Sequence, residues 1–246
     1  MRPIAGIFLP WWGPAPGWEC HFLARAASID SLRPILVGDA ATWVSGMDAI
    51  RIPCTMDEFE ARASEVSGVQ IQKHDPKYSR GQLLCELRPL MGEMYADVID
   101  GFPWWGYGDW DVVWGDWDGF LNDGILSQFD AISTNGKTVN GPLQLMRNTW
   151  QMRQLCLDGI DILQSPLGAA HLDEAGLDRL MRSAADAGRL RCLYPAGLNG
   201  HDRHPMWNRC CLKHGKLYRM NQAGVVGSEI LKFHFPGQKR WPVVEG

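Results

Sequence analysis

"PIAGIFLPWWGPAPGWECHFLARAASIDSLRPILVGD", residues Pro3–Asp39, decides the fold class. Its first eight residues, Pro3–Pro10, are a short unbroken apolar run closed by turn residues, the pattern of a buried strand. The prolines and glycines of "WWGPAPG" break both regular structures, so a loop follows. "WECHFLARAASI" then has helical spacing, with Trp18, Phe22, Leu23 and Ala26 on one face. "RPILVGD" is a second apolar strand that ends at Asp39. Strand, loop, helix and strand in that order predict a parallel pair joined by a crossover helix. The expected class is therefore α/β, with a parallel sheet and crossover helices.

The rest of the chain continues the alternation. "TMDEFEARASEVSG" opens with a T-x-x-E capping box, Thr55 to Glu58, and stops at Gly68, so it reads as a helix. "QLLCELRPLMGEMYADVI" reads as a helix broken or restarted at Pro89. "FPWWGYG" is the next strand, "FLNDGILSQFD" a short helix, and "AISTNG" and "GPLQLMRN" two further short strands. "LDEAGLDRLMRSAADAG", Leu172 to Gly188, is an amphipathic helix with a glycine stop. "EILKFHFPGQKRW" is a strand followed by a basic loop. No repeat, low-complexity tract or linker divides the chain, so residues 1–246 are expected to form a single domain.

Composition narrows the function classes. The chain has 246 residues, 46% of them hydrophobic, which suffices for a real core. The net charge is −4, against the basic face of a nucleic-acid binder, so no nucleic-acid partner is expected. Seven cysteines are an odd number and include no CxxC pair, which points to reduced thiols in a cytoplasmic compartment. "IAGIFLPWW" is too short for a cleavable signal, and nothing reaches the ~20 apolar residues of a transmembrane segment. Tryptophan is the outlier, with twelve residues. Most are expected to fill the core, while Trp11, Trp12 and Trp110, at loop edges, can also face a ligand.

The chemistry centres on "WWGYGDWDVVWGDWDGFL", Trp104–Leu121, where GDWD occurs twice. The first copy follows an apolar strand, so Asp109 and Asp111 fall at a strand's carboxyl end, where open α/β sheets bind ligands. The second copy leads into a turn and a helix, where Asp116 and Asp118 can cap without any metal. An aspartate pair alone is as compatible with a solvated turn as with an ion site. Far downstream, "HFPGQKRW" offers His234 as an imidazole ligand, Gly237 for close backbone approach to an anion, and Lys239 as a charge suited to phosphate. Read alone, that tail is also an ordinary strand end with a solvated basic loop.

Together these motifs resemble a known family. The DxD "DWD" with a C-terminal H-x-x-G-x-K-x-W is similar to GT-A glycosyltransferases, and the tail resembles that of glycogenin and related retaining transferases. The blocks "LPWWG", "CELRPLMG", "WWGYGDWDVVWGDWDGFL" and "GPLQLMRN" resemble, in this order, a bacterial family of glycosyltransferase-like proteins. Relatives of glycogenin usually carry Pro before the final Trp, where this chain has Arg240.

The resemblance implies a GT-A-like α/β fold with a mixed, mostly parallel sheet flanked by helices, a nucleotide-sugar donor, first of all a UDP-sugar, and a glycan or other small acceptor. It implies Mn²⁺ or Mg²⁺ held by Asp109, Asp111 and His234, with Asp109 also able to touch the ribose. It implies diphosphate contacts from Gly237 and Lys239, and nucleoside contacts from Pro10, Trp11, Gly13 and Asp39. Arg88 would approach the donor, and Asn140 and Gln144 would face the sugar or acceptor. Residues up to about 120 would carry the nucleotide and the remainder the acceptor side. Three rivals stand beside this reading: a DxD phosphatase or phosphotransferase, a tryptophan-rich carbohydrate-binding module, and a transferase relative that binds nucleotide without chemistry. The first lacks a GDxxxD-like segment beyond residue 130, and the second disagrees with the long helical segments.

Overall fold

The computed structural model describes residues 3–43, 47–71, 80–134, 136, 138–139, 141–160, 172–195, 199–201, 209–214, 216–223, 225–230 and 232–234. Strand β1 (Ala5–Trp11) leads through helix α1 (Glu19–Ala27) to β2 (Leu32–Gly38), and the two strands pair in parallel. α2 (Ala40–Trp43) continues to β3 (Ile50–Ile52), parallel to β2 on its outer side. The chain then crosses the other face through α3 (Met56–Ser67), α4 (Arg80–Leu87), a 3₁₀ turn (Arg88–Leu90) and α5 (Met91–Met94). It returns as β4 (Trp104–Gly108) on the opposite side of β1, again parallel. The β1–β4 boundary is thus a switch point, where the connections leave in opposite directions and a crevice opens at the strands' carboxyl ends.

After β4 come β5 (Val112–Trp114), α6 (Trp117–Phe120), α7 (Asp123–Leu126) and β6 (Ala131–Ser133). β7 (Leu143–Arg147), α8 (Trp150–Leu157), α9 (Leu177–Asp186) and β8 (Cys192–Leu193) complete the main layer. The seven-stranded sheet runs β3-β2-β1-β4-β7-β6-β8. Only β7 is antiparallel to its neighbours, so the sheet is mixed and mostly parallel.

Helices cover both faces. Phe8, Ile35, Val37, Trp105 and Tyr107 pack with residues of α3, α5, α8 and α9. Ile7, Leu9, Leu36 and Trp104 pack with α1, α2 and α6. Strands buried on both faces carry no polar alternation, which is why β1 and β2 read as unbroken apolar runs.

Local signals act as their chemistry dictates. Thr55 Oγ1 accepts from the Glu58 N–H and the Glu58 carboxylate accepts from the Thr55 N–H, starting α3, while Gly68 at φ +68° ends it. Pro89 ends α4 and the chain continues as a 3₁₀ turn. The stretch expected as one helix, "FLNDGILSQFD", is divided between α6 and α7, because the Asn122 side chain caps Ile125 and starts a new helix. "LDEAGLDRL" opens as a π turn, Leu172–Gly176, before α9.

Two smaller sheets complete the described structure. β9 (Asn199–His201), β13 (Lys232–His234) and β5 form one, with β13 central. β10 (Arg209–Lys213), β11 (Lys216–Met220) and β12 (Val226–Ile230) form an antiparallel meander. Its inner residues Cys210, Leu217 and Ile230 cover Val113 and Phe233.

Trp104, Trp105, Trp114 and Trp117 are fully buried. Each such ring removes 150–250 Å² from water, about 4–6 kcal/mol at 25 cal/mol per Å². The indole N–H groups of Trp105, Trp114 and Trp117 meet no partner among the described residues. That costs roughly 1–3 kcal/mol each, so ring burial outweighs it.

Candidate active site

The residues after β1 and β4 form the site. Gly13 adopts φ +116°, and its N–H donates to Asp39 Oδ2 at 2.7 Å, tying the β1 loop to the end of β2. Gly38 adopts φ +79°, and a Cβ there would lie 2.5 Å from the Trp12 ring, so only glycine lets that ring lie over the turn. Trp12 is fixed from below by its Nε1–H, which donates to Cys54 O at 2.8 Å. Asp39 is exposed.

The loop after β4 is held from several directions. The Asp109 N–H donates to Pro142 O at 3.0 Å. Trp18 Nε1 donates to Trp110 O at 3.0 Å, and Arg25 Nε donates to Trp114 O at 2.7 Å. Trp110 is buried against Phe22 and Trp43. A loop braced in this way can aim Asp109 and Asp111 without a ligand to organise it.

β13 supplies the third group. Its antiparallel register sets His234 opposite Val112, next to Asp111. His234 Nε2 lies 3.3 Å from Asp111 Oδ1 and 3.9 Å from Asp109 Oδ2. One ligand atom from each of the three lies within 4.8 Å of the others. Ligands about 2.0–2.2 Å from one ion are themselves separated by roughly 3–4 Å, so the cluster fits a shared ion after small adjustment. Two carboxylate oxygens with one imidazole nitrogen form a donor set that can hold a divalent ion.

Arg88 completes the geometry from beneath. It is buried, its Nη1 pairs with Asp109 Oδ1, and its Nη2 donates to Asp173 Oδ2 at 2.6 Å. Asp109 therefore keeps one oxygen for the cluster while the other is held by a guanidinium. Burial pushes the Asp173 carboxyl up to about 6, against the pull of Arg88. Lys232 lies two residues before His234 on β13 and is 2% exposed. Burial pushes its ammonium down to about 7, while Asp109, Asp111 and Glu174 act to hold it up. Asp109, Asp111, Asp173, Glu174 and Glu86 thus surround Arg88 and Lys232, so acidic groups predominate around the cluster.

A cavity of about 370 Å³ opens beside the cluster at the switch point. Pro10, Trp11, Trp18, Arg88, Asp109 and Asp111 are among its walls. Cys85 lines it too, with a thiol that burial pushes up to about 11.

The second GDWD is occupied otherwise. The Asp116 side chain accepts from the Gly119 N–H at 3.0 Å and caps α6. Asp118 accepts from the Ser31 N–H at 2.7 Å and the Asp30 N–H at 3.1 Å, bracing the turn before β2.

Of the residues singled out in the sequence, Asp109, Asp111 and His234 converge, and Pro10, Trp11 and Arg88 line the adjoining cavity. Gly13 and Asp39 bond each other at the base of the β1 loop. Gln144 does not line the cavity: it is fully buried in β7, where its Nε2 donates to Leu145 O at 3.1 Å. Asn140, Gly237 and Lys239 lie outside the described residues. Lys232, Asp173, Glu174 and Cys85 were not singled out in the sequence. Lys232 had one visible signal, a lysine within the apolar strand pattern "ILKFHF"; the others had none, because only folding brings them to the crevice.

An open, mostly parallel sheet with an aromatic-walled cavity at its switch point and an acidic ion-ligand cluster beside it defines a protein built to bind a polar ligand there. The chain belongs to the family of unknown function DUF6625, whose model matches residues 7–182. No curated protein matches it in sequence. Among solved structures, it is similar to the galactosyltransferase LgtC in complex with donor and acceptor sugar analogs. The two are 11% identical, with a TM-score of 0.48 over 95% of this chain and 87% of that one. It is also similar to mouse xyloside xylosyltransferase 1 in its apo form, at 11% identity and a TM-score of 0.48, over 97% of this chain and 100% of that one. A third is the apo-form glycosyltransferase GlyE of Streptococcus pneumoniae TIGR4, at 12% identity and a TM-score of 0.39, over 78% of this chain and 45% of that one.

Proposed function

We propose that this protein is a metal-dependent glycosyltransferase of the GT-A type. It takes a nucleotide-sugar donor, first a UDP-sugar, and passes a hexose with retention to a glycan or other small acceptor. The observation that carries the reading is the convergence of Asp109, Asp111 and His234 within 4.8 Å, at the switch point and beside the 370 Å³ cavity. Departure of a nucleoside diphosphate builds negative charge on the β-phosphate, and a divalent ion, Mn²⁺ or Mg²⁺, supplies Lewis-acid stabilisation of that leaving group when bound.

The chain's own groups take the other tasks in this proposal. Pro10 and Trp11 wall the nucleoside cavity, and the Gly13–Asp39 bond shapes its entrance. Arg88 fixes the Asp109 carboxylate, so that its orientation costs nothing at the moment of reaction. Gly237 and Lys239 take the diphosphate, and Asn140 stays assigned to the sugar side, whereas Gln144, fully buried in β7, does not. In this reading one domain spans residues 1–246, with the nucleotide half up to about residue 120. All seven cysteines are free thiols, which supports a cytoplasmic setting. Among the described residues, no helix is long and apolar enough to cross a membrane.

A screen of nucleotide sugars for Mn²⁺-dependent hydrolysis tests the proposal. Release of a nucleoside diphosphate that disappears in Asp111→Asn is the expected result. Absence of turnover and of nucleoside diphosphate binding on folded protein would refute it.

A further inference from the structure

A second cavity, of about 640 Å³, is bounded by the loop between β6 and β7 and by the outer face of α9. The same loop serves the ion site. β7 runs antiparallel to β4, so the loop that feeds β7 arrives at the carboxyl end of β4. There Pro142 O accepts from the Asp109 N–H at 3.0 Å. Earlier in the loop, the Val139 N–H donates to Asp178 Oδ1 on α9 at 2.9 Å. Asp178 is buried, and its other oxygen accepts from Arg182 Nε at 2.7 Å. The loop is thus fastened to the ion-ligand loop at one end and to the wall of the second cavity at the other.

Gly141 lies between these two anchors. A Cβ there would lie 3.1 Å from both Arg88 Nη2 and Glu174 Oε1. Arg88 is a wall of the 370 Å³ cavity, and Glu174 is a wall of the second one. The two cavities therefore approach each other at Gly141, where any side chain would crowd the junction. The π turn Leu172–Gly176 sets this up: it buries Asp173 against Arg88 and leaves the next residue, Glu174, exposed at the head of the second cavity.

We propose that the second cavity is the acceptor subsite and that its occupant is an uncharged oligosaccharide. This rests on the reading of the first cavity as the nucleotide-sugar site. Transfer needs an acceptor hydroxyl held against the donor sugar, and the junction at Gly141 gives the two ligands a common border. The lining sets the chemical class. Glu174, Asp178 and Asp186 face the guanidiniums of Arg179 and Arg182, and Arg182 is already paired with Asp178. An acidic acceptor would meet a wall richer in carboxylates than in free cations. An apolar acceptor would find little more than Val139 and Ala175. Carboxylates, a guanidinium and the hydroxyls of Thr138 and Ser183 match a ligand whose own hydroxyls both donate and accept. Shape sets the size. Glu174 to Asp186 covers about 18 Å of helix at 1.5 Å per residue, and apart from Asp178 the α9 side chains that line the groove are exposed. A long, open, polar groove suits a chain of sugars over a single ring, with its reacting end at Glu174 and its far end at Asp186.

The test is a glycan array of neutral, acidic and sulfated oligosaccharides, probed with wild type, Ala175→Trp and Ser183→Trp in the presence of Mn²⁺ and UDP. Both positions are exposed in the groove, so an indole fills it from the solvent side without entering the core. Wild type should bind neutral members. Both variants should lose on the order of tenfold or more in calorimetric affinity for the best of them, the equivalent of one hydrogen bond to a charged group. Asp186→Ala only shortens an exposed side chain, and it should weaken long members more than short ones. It carries the test if neither tryptophan variant folds by circular dichroism, and unchanged binding would then overturn the inference. Binding that both folded tryptophan variants retain, binding confined to acidic or sulfated members, or binding to no member would overturn it as well. The melting shift of wild type with Mn²⁺ and UDP is read in parallel. A shift alongside any of those failures leaves the donor site standing and removes the acceptor subsite alone. No shift, beside saccharide binding that the tryptophans block, overturns the donor reading and with it the acceptor role of the groove.

Discussion

Exchanging functions between the two GDWD copies is the sharpest test of the site. Asp118 accepts two backbone N–H groups, from Ser31 at 2.7 Å and Asp30 at 3.1 Å, and anchors the turn that feeds β2. Hydrogen bonds to a charged acceptor contribute about 1.5–3 kcal/mol when enclosed, but Asp118 is exposed and water can replace part of the loss. Asp118→Ala should therefore cost about 1–2 kcal/mol in total. For a chain of this size, that lowers the melting temperature by about 2–8 °C. Asp111 has the opposite profile. It contributes a charge to the cluster with His234, and asparagine keeps its size and one acceptor oxygen, so Asp111→Asn should melt within about 2 °C of wild type. Its Mn²⁺ affinity should fall by about tenfold or more, with turnover down on the order of 10²-fold. The assay is thermal melting with and without Mn²⁺, followed by Mn²⁺ titration of both variants. If Asp118→Ala loses Mn²⁺ binding while Asp111→Asn binds normally and melts low, the ion site belongs to the second copy and the reasoning fails.

Three further outcomes are expected. UDP and Mn²⁺ together should raise the melting temperature by roughly 5–10 °C at about 100 times their dissociation constants, more than the sum of each alone, and a larger shift with GDP would move the donor to a GDP-sugar. Arg88→Met leaves Asp109 and Asp173 with no guanidinium between them and should cost about 3–5 kcal/mol in chemical denaturation; a loss under about 1 kcal/mol would mean that the pair is not buried as described. Asp173 has a folded-state value raised to about 6 from 3.8, so the folded protein holds its proton longer than the unfolded chain. The sign follows directly: the group favours folding least where it must ionise, and stability is lost as pH rises from about 4 to 6. The stability of wild type minus that of Asp173→Asn should fall by up to about 3 kcal/mol between pH 4 and 7, and a difference that rises over that range would refute the assignment.

The sequence by itself determined the parallel layer. β1 and β2 are buried on both faces, so they read as short apolar runs that their length and flanking Pro and Gly mark as strands, and the capping box at Thr55 and the left-handed Gly68 mark α3 with local chemistry alone. It also separated the GDWD copies, because a strand precedes one and a helix start follows the other. The meander of β10–β12 was not legible, since its strands are short and partly exposed and its apolar residues meet their partners only across the fold. The site's closure was decided by tertiary structure. His234 reaches Asp111 through the register of β13 on β5, a pairing across more than a hundred residues. Lys232 and Asp173 acquire their charge environments only when other elements remove water from around them. Periodicity and capping are local and survive in a string of letters, whereas desolvation and convergence depend on which surfaces meet, and only the folded chain fixes that.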